Sequence, residues 1–85
     1  GRTMSYWNHR VMRREYHNGD EIDVIDEIYE VYYNDDGIVQ GWTQDPVGPS
    51  HYVGIDDGAL RDSVQRFMRA CDRPVLDYNT GKEIE

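Results

Sequence analysis

Tyr16-His17-Asn18-Gly19-Asp20-Glu21-Ile22 is the stretch on which the reading of the fold depends. A type I′ hairpin turn needs φ > 0 at both central residues, which Asn followed by Gly tolerates best. The runs on either side, Tyr6–Tyr16 and Ile22–Tyr33, are therefore read as two antiparallel strands. The second ends in Ile28-Tyr29-Glu30-Val31-Tyr32-Tyr33, dense in residues that suit a pleated, half-buried surface. With Asn18-Gly19 as a two-residue loop, Arg14 faces Asp23, Arg10 faces Glu27, Met12 faces Ile25 and Tyr6 faces Val31. Opposite-charge and apolar cross-strand pairs of this kind each contribute about 0.2–1 kcal/mol.

Outward from the hairpin, Asn34-Asp35-Asp36-Gly37 is a second turn cluster, with Gly supplying φ > 0. It leads to a third strand, Ile38–Thr43, which places Tyr33 opposite Ile38, Val31 opposite Gln40 and Tyr29 opposite Trp42. Asp45-Pro46-Val47-Gly48-Pro49-Ser50 then interrupts regular structure, because proline fits neither a helix interior nor a central strand. Beyond it, Leu60, Val64, Phe67, Met68 and Cys71 recur at helical period and predict a helix over 57–72 with that stripe buried. Asp56 suits the N-cap, Ile55 and Leu60 a hydrophobic staple, Arg69 and Arg73 the C-terminal turn, and Pro74 the stop. Val75-Leu76 adds a short extended segment against the sheet.

The expected fold is α+β: a three-stranded antiparallel β-meander with one C-terminal α-helix packed on it. It forms a single domain over residues 4–78. Gly1-Arg2-Thr3 reads as an expression scar ahead of Met4, and residues 79–85 as a polar tail. One sheet face carries Tyr6, Met12, Ile25, Tyr29, Val31, Tyr33, Ile38 and Trp42. The other carries Trp7, Val11, Ile22, Val24, Ile28, Tyr32 and Val39. Both are apolar, and one helix covers one of them, so the other calls for a partner. The expected partner is a second copy, giving a homodimer with Tyr6, Tyr29, Tyr33 and Trp42 as contact aromatics. The competing expectation is that Val75, Leu76 and Tyr78 fold back over that surface within one chain.

Formal net charge is −8, unevenly spread. Residues 20–57 hold eleven acids and no Lys or Arg. Such a balance speaks against direct nucleic-acid binding, which needs a positive surface, and permits a basic protein partner. The single cysteine, Cys71, cannot form an internal disulfide, so a reducing, cytoplasmic setting is expected. No apolar run approaches the roughly 20 residues that span a bilayer, so no membrane association is expected.

No cofactor, metal or catalytic motif stands out. His9, His17, His51 and Cys71 lack metal-ligand spacing. Asn34-Asp35-Asp36-Gly37 lacks the alternating oxygens of a calcium loop. The carboxylates Asp23, Asp26, Glu27 and Glu30 read as a solvated face, with Glu30, set among aromatics, the one to watch as a functional group.

Tyr6-Trp7-Asn8-His9-Arg10-Val11, Glu30-Val31-Tyr32-Tyr33-Asn34-Asp35-Asp36-Gly37, Trp42-Thr43-Gln44-Asp45-Pro46 and Pro74-Val75-Leu76-Asp77-Tyr78 resemble a group of short bacterial hypothetical proteins. Some of that group travel on mobile elements such as integron gene cassettes. The resemblance covers most of the chain and implies no activity and no catalytic residue. The order strand, strand, strand, helix is also similar to that of HicB-type antitoxin modules. Three functions follow as expectations. The first is a non-enzymatic interaction module that self-associates. The second is an acidic DNA mimic that occupies a basic nucleic-acid-binding protein. The third is a small-ligand binder or enzyme with a pocket near Trp42.

Overall fold

The computed structural model describes residues 6–50 and 59–84. The expected N-cap Asp56, the staple residue Ile55, His51 and the start at Met4 lie outside them. Within them the chain is α+β, in the order β1 (Tyr6–Asn18), β2 (Glu21–Tyr33), β3 (Val39–Trp42), α1 (Ala59–Cys71) and β4 (Leu76–Asp77). The sheet has four strands in the order β3-β2-β1-β4. It is mixed rather than purely antiparallel, because β4 pairs with β1 in parallel at Met12 and Arg13. That pairing needs a crossover, and α1 provides it between the two sheet edges.

The β1–β2 hairpin forms, but one position further along than Asn18-Gly19 implies. Asn18 pairs with Glu21, and Gly19-Asp20 are the loop residues. Gly19 takes φ +61° at the first central position, where both mirror-image hairpin turns require a positive value. Arg14 therefore faces Ile25, Arg10 faces Tyr29, Met12 faces Glu27 and Tyr6 faces Tyr33. The expected Arg14–Asp23 pair is replaced by Arg13–Asp26, a two-pronged contact at 2.8 and 3.0 Å. Each partner moves by two positions, so the division of side chains between the two faces survives.

In the second turn the Asn34 side-chain oxygen accepts from the amides of Asp36 and Ile38 at 2.9 and 3.0 Å, and Gly37 adopts φ +79°. A bulge follows, which sets Val39 opposite Tyr33 and Trp42 opposite Val31. Val39 thus joins the Tyr33 face, and Ile38, expected there, is exposed.

The core consists of Met12, Tyr29, Val31, Tyr33 and Leu76, with Val39, Trp42 and Tyr78 packed against them. No helix residue belongs to it. The cover comes from the C-terminal segment, including most of the expected polar tail. Asp77 anchors a tight turn: its carboxylate accepts from the Asn79 amide at 2.7 Å, and its carbonyl accepts from the Gly81 amide at 2.7 Å. The Ile84 amide then donates to the Val75 carbonyl at 2.8 Å, closing a small hairpin. Val75, Leu76 and Tyr78 fold back over this face, and Tyr29 and Tyr33, expected as contact aromatics, are buried within the single chain.

The helix lies along β1 on the opposite face, but turned from its expected orientation. Ser63, Phe67 and Ala70 are its buried positions, while Leu60, Val64, Met68 and Cys71 are exposed. Phe67 stacks on His9 with ring centroids 4.3 Å apart. Ser63 is held by a polar contact, its hydroxyl accepting from the Ser50 amide at 3.1 Å. Small side chains at 63 and 70 permit close approach to the strand, and this outweighs the larger apolar stripe one side over. Beyond α1, the hairpin from Glu21 to Asp26 is exposed on both faces, leaving Ile22, Val24 and Ile25 in solvent.

Candidate functional site

The inward row Ser63-Phe67-Ala70 divides α1 into two flanks of different chemistry. One is apolar: Leu60, Val64, Met68 and Cys71. The other presents Arg66, Arg69 and Arg73, spaced i, i+3, i+7, so all three guanidinium groups leave the same side of the helix. Arg73 follows the last helical residue but keeps the series, because Asp72 and Arg73 donate to the carbonyls of Arg69 and Ala70 at 3.1 and 3.2 Å.

The three arginines close one wall of an open cleft of about 280 Å³ whose other wall is Trp7, Asn8 and His9 of β1. Trp7 meets His9 edge-on at 5.3 Å, and His9 rests on Phe67, so the indole is braced by two further rings. It is nevertheless 52% exposed. Asn8 is oriented from behind. Arg10 donates from Nη1 to the Tyr33 hydroxyl at 3.1 Å, and that hydroxyl donates to Asn8 Oδ1 at 2.7 Å. The Asn8 side chain thus lies on the core face, and the residue meets the cleft between the side chains of Trp7 and His9.

Arg10 is itself buried, with Nη2 donating to the Pro74 carbonyl at 2.7 Å and Nε lacking any partner. Among the described residues no carboxylate lies within 4.0 Å of Arg10, Arg66, Arg69 or Arg73, and the one arginine–carboxylate bridge is Arg13–Asp26. Arginines in the last turn of a helix are ordinary, since they meet the negative end of its dipole. The dipole does not account for Arg66, nor for three cations gathered beside a half-exposed tryptophan in a chain of net charge −8. Guanidinium groups in a cleft with no carboxylate partner among the described residues suit an anion, by charge and by paired N–H donors.

The pKa of His9 is held below its ordinary 6.5, first by burial, with the Arg66 and Arg73 charges adding to that and Glu30 opposing it. The folded imidazole therefore resists protonation more than the unfolded one. As pH falls below 6.5 the unfolded chain takes up the proton first, so stability drops until the folded imidazole titrates as well. Urea unfolding on either side of pH 6.5 should show this loss, and His9→Gln should flatten it. An unchanged slope in the variant would assign the loss to other groups.

A second polar cluster lies on the core face. The Tyr16 hydroxyl donates to Glu27 Oε1 at 2.5 Å, which keeps that phenol protonated well above its usual range. Arg14 sits over the rings of Tyr16 and Tyr78, at 4.8 and 4.0 Å from their centroids. Its carboxylate, phenols and guanidinium group contact one another, so the cluster reads as a support of the sheet. Glu30, the carboxylate singled out in the sequence, accepts from the Tyr32 hydroxyl at 2.8 Å and pairs across the strands with His9. Among the described residues no group of three His, Cys, Asp or Glu could hold a metal ion, and no helix is long and apolar enough to cross a membrane.

Of the four expected interface residues, Tyr29 and Tyr33 belong to the core and Tyr6 is half-exposed, stacked on Tyr33 at 4.8 Å. Trp42 is half-buried, and the space over its ring, where a pocket was expected, holds Gly81. The cleft forms at the other tryptophan. The sequence reading missed it: Arg66, Arg69 and Arg73 recur at i, i+3, i+7, a signal for its helical half, but the strand that faces them depends on the turn of the helix. The carboxylates expected to form one acidic surface are divided. Asp23 and Glu27 project on one face, Asp26 and Glu30 on the other, and Asp35 and Asp36 sit in a turn. Comparison with protein-family models, curated proteins and solved structures finds no match.

Proposed function

We propose that this domain is a non-enzymatic binding module that takes an anionic group in the cleft between Arg66, Arg69, Arg73 and Trp7-Asn8-His9. The observation that carries the reading is the convergence of three guanidinium groups without a carboxylate partner among the described residues. The field of the whole chain repels long polyanions, while the local arginines attract a small one. This keeps the domain from coating nucleic acid and still gives it an anion site. Among the described lining residues none pairs a nucleophile with a base, which favours binding over catalysis.

Calorimetric titration with inorganic pyrophosphate tests the reading. Binding should weaken with salt, and Arg66→Gln and Arg69→Gln should each cost about tenfold or more in affinity, the worth of a charge-assisted hydrogen bond. Unchanged affinity in both variants would remove the cleft as the site.

A second reading, self-association, is favoured by the apolar flank of α1, where Leu60, Val64 and Met68 are 49%, 38% and 63% exposed. Their spacing is symmetric about Val64. Two copies crossing antiparallel at that residue would set Leu60 of each beside Met68 of the other, as a twofold interface requires. Sedimentation at micromolar concentration should then give a species of twice the 10.0 kDa chain. Val64→Asp should return it to the monomer without unfolding it. A monomer for the unsubstituted chain would contradict this reading and leave the anion site untouched.

A further inference from the structure

We infer that the ligand of the arginine cleft carries a planar ring beside its phosphates, as a nucleoside diphosphate does. The inference rests on the anion-binding reading and adds the second half of the recognition. Three observations carry it.

The first is the state of Trp7. An indole that is 52% exposed on a strand is usually loose, but this one packs edge-on against His9, which is stacked in turn on the buried Phe67. The ring is therefore held in place before anything binds, and its free surface belongs to the cleft wall. A fixed aromatic face beside cationic side chains is the arrangement on which a base stacks, because every base presents a π-face and the guanidinium groups themselves lie flat on rings.

The second is size. At about 280 Å³ the cleft lies just under the range of about 300–1,000 Å³ usual for small-molecule sites. It is larger than a phosphate or pyrophosphate needs and small in volume for a strand of nucleic acid. The third is the donor set. Three guanidinium groups match the charge of a diphosphate, and their spread along two helical turns exceeds what a single phosphate can engage.

The test compares three ligands on the full chain by calorimetry: ADP, inorganic pyrophosphate and adenosine. ADP should bind at least about tenfold more tightly than pyrophosphate, the increment a stacked base supplies. Trp7→Leu should remove that advantage, so that the ratio of ADP to pyrophosphate affinity falls to about one. In the unsubstituted protein, ADP should also shift the Trp7 indole N–H resonance by ring current, which pyrophosphate cannot do, so the outcome does not depend on the variant folding. Equal affinity for ADP and pyrophosphate, with the indole resonance unmoved by either, would overturn the ring while the anion site stands. Failure of all three ligands would overturn both. Tighter binding of a single-stranded oligonucleotide than of ADP would contradict the size and charge argument.

Discussion

Tyr29→Ala should lower the unfolding free energy by about 3–5 kcal/mol, the range for removing a buried aromatic side chain. Tyr29 has no exposed surface, and its ring meets Tyr78 at 5.3 Å. It packs with Met12, Val31 and Leu76 under the C-terminal segment, so its loss opens the core cluster on that face of the sheet. An 85-residue domain has only about 4–13 kcal/mol of stability in total, so the variant should be close to unfolding. Tyr29→Phe separates the ring from its hydroxyl. That hydroxyl's contacts to Glu27 and Tyr16 are long, 3.4 and 3.5 Å, and Arg14 lies beside it, so its removal should cost about 1 kcal/mol, well below the loss of the ring. Urea unfolding measures both. A loss below about 1 kcal/mol for the alanine variant would mean that the C-terminal segment does not close over this ring.

Gly81→Ala should cost about 2–5 kcal/mol, from two separable causes. At φ +74° an L residue carries a strain of about 1–2 kcal/mol that glycine avoids. A β-carbon there would also stand 2.6 Å from the Trp42 ring and 3.2 Å from Val39, and forcing the contact apart costs about 1–3 kcal/mol. Introducing Trp42→Leu alongside Gly81→Ala should recover the second part and not the first. Gly48→Ala is the control, since nothing lies within 4 Å of its added carbon. Its effect should be small or slightly favourable. Equal effects at 48 and 81 would contradict the placement of the tail over Trp42.

The two glycine-containing turns show why much of the sheet could be read in advance. Asn18-Gly19 and Asn34–Gly37 both connect adjacent strands, because few residues tolerate positive φ. The face of each β1 and β2 side chain was legible even with the wrong pairs, since a shift of partners by two positions preserves alternation. The orientation of the helix was not legible. Hydropathy favours Leu60, Val64 and Met68, yet Ser63 and Ala70 face inward because small side chains let α1 approach β1 and because Ser63 meets the Ser50 amide. The tail was misjudged for a related reason. Asn79-Thr80-Gly81-Lys82 is polar by composition, but it is a turn that returns Ile84 to Val75, and its buried member is the residue without a side chain.

The same geometry links fold and site. Turning α1 onto Ser63, Phe67 and Ala70 aims its arginine flank at Trp7 and His9 and leaves its apolar flank in solvent. Had the larger apolar stripe faced the sheet, the guanidinium groups would have pointed away from Trp7 and no cleft would exist.

The central claim, that Arg66, Arg69 and Arg73 form one anion site with Trp7, Asn8 and His9, is tested most directly by following side-chain N–H resonances during a pyrophosphate titration. The account predicts saturable shifts of the Nε–H signals of these three arginines, sharing one dissociation constant, with the Arg13 signal unmoved in its bridge to Asp26. Shifts spread evenly over all arginines, or none at the three helix positions, would contradict it.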